Sequence, residues 1–238
     1  MPSSYKPKPI FPTKKKVRDP RIPLDIQDVP ICTTIVAPRK SGKSALVCGL
    51  IDEVYANVFD RVIIMSDTVL YDKSIKEFAN KTKHRNIYFT DEVSNTTIRE
   101  ILNEQKELAE EGRTCLLYID DAGNDAQGKN LNKELSNLYC KGRHTLCSSI
   151  VVVQSVRSQL SSKQKNNTTE WIIFKNNAED MEILARLLTS AYKNRKEVLT
   201  YLIECTREPY SFCYVNLAAD DAKTMYRYCN KDGFKNYF

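Results

Sequence analysis

Long apolar runs, paired metal ligands and internal repeats are all missing from this chain of 238 residues. No stretch of about 18 apolar residues exists to span a bilayer, and the first 25 residues are basic and proline-rich, with no apolar centre of a secretory signal. These absences predict a soluble, non-secreted protein. There are only two histidines, His84 and His144, and none of the eight cysteines forms a Cys-x-x-Cys pair. A tetrahedral zinc site would have to draw on an unorthodox grouping such as Cys140, His144 and Cys147. The plainer reading is that the thiols serve as small apolar residues of strands and helices in a reducing compartment. No repeat of solenoid length and no sustained heptads are found, which excludes both architectures. An Asn-Lys-x-Asp element for reading guanine is absent too: Asn230-Lys231-Asp232-Gly233 is mis-spaced and lies near the end.

What is present begins with charge. Residues 1–23 hold seven basic residues (Lys6, Lys8, Lys14, Lys15, Lys16, Arg18, Arg21) against Asp19 alone, so the net charge of +6 resides there and the remainder balances. Six of the nine prolines fall in the same segment. It reads as an extended, solvated arm, either a solubilising tail or a strap for nucleic acid, an anionic protein surface or a neighbouring subunit.

From residue 31 onward, short apolar strands alternate with helical patterns, which argues for an α/β class with a largely parallel sheet. Strands are expected at Ile31–Val36, Arg61–Met65, Asn86–Phe89, Thr114–Ile119, Ser148–Val153 and Trp171–Phe174. Helices are expected over Lys43–Val58, from a Ser94 cap through Leu108 to a stop at Gly112, around Leu131–Tyr139, and over Ala178–Leu188. Arg157 to Thr169 reads as a polar loop. The domain plan is an arm over residues 1–23 and one domain over 24–238, with its core at 31–190 and a C-terminal extension at 191–238; the C-terminal third is expected to close the sheet.

Ala37-Pro38-Arg39-Lys40-Ser41-Gly42-Lys43-Ser44 matches a P-loop, with alanine where the first glycine usually stands. It follows a strand and opens a helix that continues through Ala45. In that setting Gly42 lets the backbone approach phosphate, Lys43 reaches the β and γ oxygens, and Ser44 ligates Mg²⁺. ATP with Mg²⁺ is the expected cofactor pair. Leu116-Leu117-Tyr118-Ile119-Asp120-Asp121 delivers two carboxylates at the end of a buried strand, the form of a Walker B motif. Asp120 is expected at the metal, and Asp121 is expected to accept a proton from the attacking water or orient it. Asp121 as a mere loop cap is the alternative.

Two strands between these motifs point to the additional-strand, RecA/FtsK-like class of P-loop ATPase. There Gln154, at the end of the strand after Walker B, is expected to sense the γ-phosphate, against the reading that it is an ordinary polar strand end. Arg143 and Arg157 are candidate arginine fingers, against the reading that both are ordinary surface arginines.

The order of these pieces resembles the genome-packaging ATPases of large eukaryotic DNA viruses and virophages, the poxvirus-type branch of the HerA/FtsK superfamily. The resemblance runs from about residue 31 to 190 and rests on Gly142-Arg143-His144 ahead of Gln154 and on Asn177-Ala178-Glu179-Asp180-Met181. It implies a homo-oligomeric ring that drives double-stranded DNA into a preformed capsid and meets a capsid or portal-vertex protein. It implies Arg143 as a finger acting in trans, with Lys163 and Lys165 on a DNA-facing loop. DNA contacts would be to phosphates and indifferent to sequence. The expected location is the host-cell cytoplasm or a viral factory, with possible association with the virion. A helicase or replication ATPase is the nearer alternative, and a non-motor nucleotide switch the more distant one.

Overall fold

Strand-forming residues occupy the sheet where the sequence places them. The computed structural model describes residues 18–24, 26–55, 57–82, 86–122, 131–190 and 193–237. Its parallel strands are β1 (Cys32–Val36), β2 (Arg61–Met65), β3 (Ile87–Thr90), β4 (Cys115–Ile119), β5 (Cys147–Val153) and β6 (Glu170–Phe174). Then follow β7 (Phe212–Asn216), β8 (Tyr226–Asn230) and β9 (Gly233–Asn236), all antiparallel. The order across the sheet is β3-β2-β4-β5-β1-β6-β7-β8-β9. Strand β5 thus lies between the P-loop strand β1 and the Walker B strand β4, as the additional-strand class requires. The C-terminal extension does not close the sheet but lengthens it past β6 as a meander.

All five strand residues of β1, β4 and β6 and all seven of β5 are buried, because helices cover both faces. On one face α1 (Lys43–Gly49) and α2 (Lys73–Lys81) press Val47, Ile75 and Phe78 onto Ile35, Ile64 and Tyr118. On the other, α3 (Asn95–Glu110), α4 (Asn132–Lys141), α7 (Ala178–Leu187) and α8 (Arg195–Cys205) bury Ile98, Leu135, Leu184 and Tyr201 with Leu117, Val151 and Trp171. Burying one such side chain contributes about 1.5–3 kcal/mol. Ser94 caps α3 by accepting from the Thr97 N–H at 3.1 Å, and Gly112 ends that helix at φ 76°.

Three expectations need correction. The first helix switches to a π-helical turn over Leu50–Val54 and stops short of Val58. Residues 157–169 are not a loop: they contain α5 (Val156–Gln159) and α6 (Ser162–Asn167). Helix α6 is set by a reciprocal capping box, Ser161 with a fully buried Gln164, that outweighs its polar composition. The expected arm is folded in its last six residues, where Ile22 is buried and Arg18 donates to the carbonyls of Pro23 and Ile26. Its lysines from Lys6 to Lys16 lie outside the described residues, as does His84. All eight cysteines are free thiols. Among the described residues no group of three His, Cys, Asp or Glu could hold a metal, and no helix is long and apolar enough to cross a membrane.

Candidate nucleotide site

The site forms at the carboxyl edge of the parallel strands. Ala37 takes the first P-loop position without strain because it continues the strand: its N–H donates to the Val153 carbonyl at 2.9 Å, and it is fully buried. A glycine is not needed there. It is needed at Gly42, which sits at φ 91° just ahead of α1, while Lys40 holds φ 62° in the same turn. The Leu46 N–H donates to the Gly42 carbonyl at 3.0 Å and starts the helix.

Both functional side chains of the loop are held by carboxylates. Lys43 Nζ lies 2.5 Å from Asp120 Oδ1, and only 14% of the lysine side chain and 5% of the aspartate are exposed. Ser44 Oγ donates to Asp72 Oδ2 at 2.8 Å. Asp72 in turn caps α2, its Oδ1 accepting from the N–H groups of Ser74 at 2.8 Å and Ile75 at 3.2 Å. The cleft above them holds about 510 Å³ and is lined by Arg39, Lys40, Lys43, Ser44, Asp72 and Tyr210, among others. Ser44, Asp72 and Asp120 present only hard oxygen donors, a set suited to Mg²⁺.

Next to this cradle, Asp121 follows β4 in the left-handed region at φ 51°, a conformation that costs an aspartate on the order of 1 kcal/mol. Gln154 Nε2 donates to Asp121 Oδ2 at 2.7 Å, and Gln159 Nε2 reaches Oδ1 at 3.4 Å. Gln159 also accepts from the backbone N–H groups of Gln154 and Ser155, at 2.5 and 3.0 Å. Asn176 donates to the Gln154 carbonyl at 2.9 Å. The end of β5 is therefore fixed on three sides, with the Gln154 amide aimed at Asp121.

Both arginine side chains pair with residues outside this cluster. Arg157 is exposed; its guanidinium pairs with Glu179 of α7 and its N–H donates to Asp180 at 3.1 Å. Arg143 lies in the 3-10 turn Gly142–Thr145 that precedes β5, at the opposite, amino edge of the sheet. Seven residues of β5 separate it from Gln154, roughly 20 Å at the rise of a strand. It is exposed and donates to His144 Nε2 at 3.3 Å. Gly142 fixes this turn, since a Cβ there would meet the Cys147 carbonyl oxygen at 2.6 Å. Lys163 and Lys165 lie on α6, in the connection that returns from the end of β5 to the start of β6, with Lys163 exposed and Lys165 near Asp180.

The structure thus brings Lys43, Ser44, Asp120, Asp121 and Gln154 together and leaves Arg143 and Arg157 out. Asp72, Gln159 and Tyr210 were not anticipated. For Asp72, an acid ahead of a helix at the end of the β2 connection was a usable signal; Gln159 and Tyr210 had none.

A P-loop with paired aspartates on a strand separated from it by one more strand defines an ATPase of the additional-strand class. The family model described as "Poxvirus A32 protein" matches residues 30–215. The chain belongs to that family and is a viral genome-packaging ATPase of the FtsK/HerA type. No curated protein sequence matches it significantly. Among solved structures, the genome-packaging NTPase B204 of Sulfolobus turreted icosahedral virus 2, in complex with AMP, is 16% identical with a TM-score of 0.58. The match covers 79% of this chain and 93% of that one. B204, the DNA-packaging ATPase of Sulfolobus turreted icosahedral virus, is 15% identical with a TM-score of 0.59, covering 82% and 95%. The pCW3 conjugation coupling protein TcpA with ATPγS is 14% identical with a TM-score of 0.58, covering 82% and 60%. At such identities these likenesses speak to the fold.

Proposed function

We propose that this chain is the ATP-hydrolysing motor that drives double-stranded viral DNA into a preformed capsid, acting as a homo-oligomeric ring. The observation that carries the reading is the meeting of Lys43 and Ser44 with Asp120 beside the Asp121–Gln154 pair at one edge of the sheet. Residues 37–45 wrap the phosphates. Lys43 leaves Asp120 for the β and γ oxygens, and Ser44 leaves Asp72. Ser44 and Asp120 hold Mg²⁺, with Asp72 adjoining; the ion, when bound, offsets charge that develops on the phosphate oxygens. Asp121 accepts a proton from the water that attacks the γ-phosphorus as the bond to the ADP oxygen breaks. Gln154 holds that carboxylate in line and feels the γ-phosphate.

Arg143 stands too far from its own P-loop to touch the same nucleotide, so it serves the site of a neighbouring subunit as a finger. Arg157, already paired with Glu179, is the weaker candidate. Lys163 and Lys165 on α6 offer phosphate contacts to DNA. Lys163 is exposed and Lys165 only partly so, which makes Lys163 the more accessible anchor. Residues 1–23 supply a basic strap for an acidic partner, and a capsid or portal-vertex protein is the docking target. The site of action is the host cytoplasm or a viral factory, with carriage in the virion, which fractionation of infected cells tests.

Steady-state ATP hydrolysis with and without double-stranded DNA tests the whole reading. DNA stimulation is expected in the unaltered protein, and Lys43→Ala is expected to lower kcat/KM about 100- to 1000-fold. Hydrolysis indifferent to DNA would count against a motor.

A further inference from the structure

The connection between α8 and β7 carries a local contradiction. Glu208-Pro209-Tyr210-Ser211 forms a tight turn, closed by the Ser211 N–H donating to the Glu208 carbonyl at 3.2 Å. Proline occupies its second position and Tyr210 its third, with φ 63°. Proline cannot adopt positive φ, so this is the turn class that asks for glycine or asparagine at the third position. A tyrosine there is strained and, at 73% exposure, gains little burial in return. Strain of this sort persists where a side chain is needed in one place.

That place is the P-loop. A Cβ built on Gly42 would lie 3.1 Å from the Tyr210 Cδ1 atom and 3.8 Å from Cε1, so the ring stands over the last P-loop glycine. It forms a wall of the same cleft as Lys43, Ser44 and Asp72. The turn belongs to the C-terminal extension, yet because β7 runs antiparallel to β6, Phe212 pairs with Phe174 and the turn is delivered to the carboxyl edge. The lining is otherwise mostly polar, with Arg39, Lys40, Thr68 and Ser74, and Tyr210 is its one aromatic ring among the described residues.

We propose that Tyr210 is the stacking wall for the nucleoside part of the bound nucleotide, contributing affinity for base and ribose while the P-loop grips the phosphates. The proposal rests on the ATP-binding reading above. Base–aromatic stacking is worth about 1–3 kcal/mol by alanine substitution, which corresponds to roughly a five- to 150-fold change in Kd.

The test is calorimetric titration of the full chain with ATPγS and, separately, with inorganic tripolyphosphate. Tyr210→Phe should bind both like the unaltered protein. Tyr210→Ala and Tyr210→Gly should lose about five- to 150-fold in ATPγS affinity with tripolyphosphate unchanged. Tyr210→Gly should also melt at a higher temperature than Tyr210→Ala, since glycine fits the turn. A merely structural tyrosine would not separate the two ligands. Unchanged ATPγS affinity in Tyr210→Ala, or equal losses for both ligands, overturns the proposal. The unaltered protein binding neither ligand overturns the nucleotide reading itself, and the proposal with it. Tripolyphosphate binding that disappears in Lys43→Ala confirms that the cradle is being measured.

Discussion

The two edges of the sheet are built to different ends. At the carboxyl edge the assigned side chains already have protein partners: Lys43 pairs with Asp120, Ser44 donates to Asp72 and Gln154 donates to Asp121, while the buried Ser41 hydroxyl has no hydrogen-bond partner among the described residues. At the amino edge Arg143 is exposed, and among the described residues its side chain hydrogen-bonds the neighbouring His144. Under the proposed reading, nucleotide is gripped at the carboxyl edge by exchange of existing contacts, while the opposite edge is left for partners outside the chain. A parallel sheet makes this division natural, since loops after its strands and loops before them lie at opposite edges.

The sharpest way to break the comparison is Arg143→Ala. If the amino edge completes a neighbour's site, turnover under assembling conditions should fall about 1000-fold or more, on the scale of arginine-finger losses, while ATPγS affinity of the single chain stays the same. Asp121→Asn acts on the other edge and should lower kcat by about 100- to 10,000-fold with ATP still bound, as loss of a general base does. A single-turnover experiment separates binding from chemistry. Gln159→Ala releases the end of β5 without removing any group assigned to the nucleotide. A kcat loss of about 10- to 100-fold with little change in KM is expected from misplacement alone.

The smallest effect concerns Glu170, buried at the start of β6, where it accepts from the hydroxyls of Thr33 and Tyr214. Burial raises its carboxyl above the ordinary 4.5, and those two hydroxyls pull it partly back. The folded chain therefore holds this proton more tightly than the unfolded one. The stabilisation is complete below the unfolded pKa and is lost as pH rises through the folded value. Glu170→Gln removes that loss, so thermal melts should show it more stable than the unaltered protein at pH 8, by about 2–4 °C for each kcal/mol, and the difference should shrink at pH 4.

Much of this was legible in the residues. Ile31–Val36, Arg61–Met65 and Ser148–Val153 read as strands because β-branched residues buried on both faces leave no other pattern. Lys43, Ser44 and Asp120 read as a site because their chemistry is local to short motifs. The polar run 157–169 misled because its helices depend on the cap between Ser161 and Gln164 and not on an apolar face. The contacts of Gln159 and Tyr210 join residues 38 and 168 positions apart, Asp121 with Gln159 and Gly42 with Tyr210, so no local spacing announces them. That Arg143 precedes its strand was visible, but in the proposed ring its partner would be set by assembly, which leaves no period in one chain.

The central claim is that a nucleotide gripped at one edge is completed by the other edge of a neighbour. Mixing Arg143→Ala with Asp121→Asn tests it most directly, because each supplies the residue that the other lacks. The account predicts that the mixture regains DNA-stimulated ATP hydrolysis that neither variant shows alone. Activity in the mixture no higher than the mean of the two separate variants, with rings of normal size still formed, would contradict it.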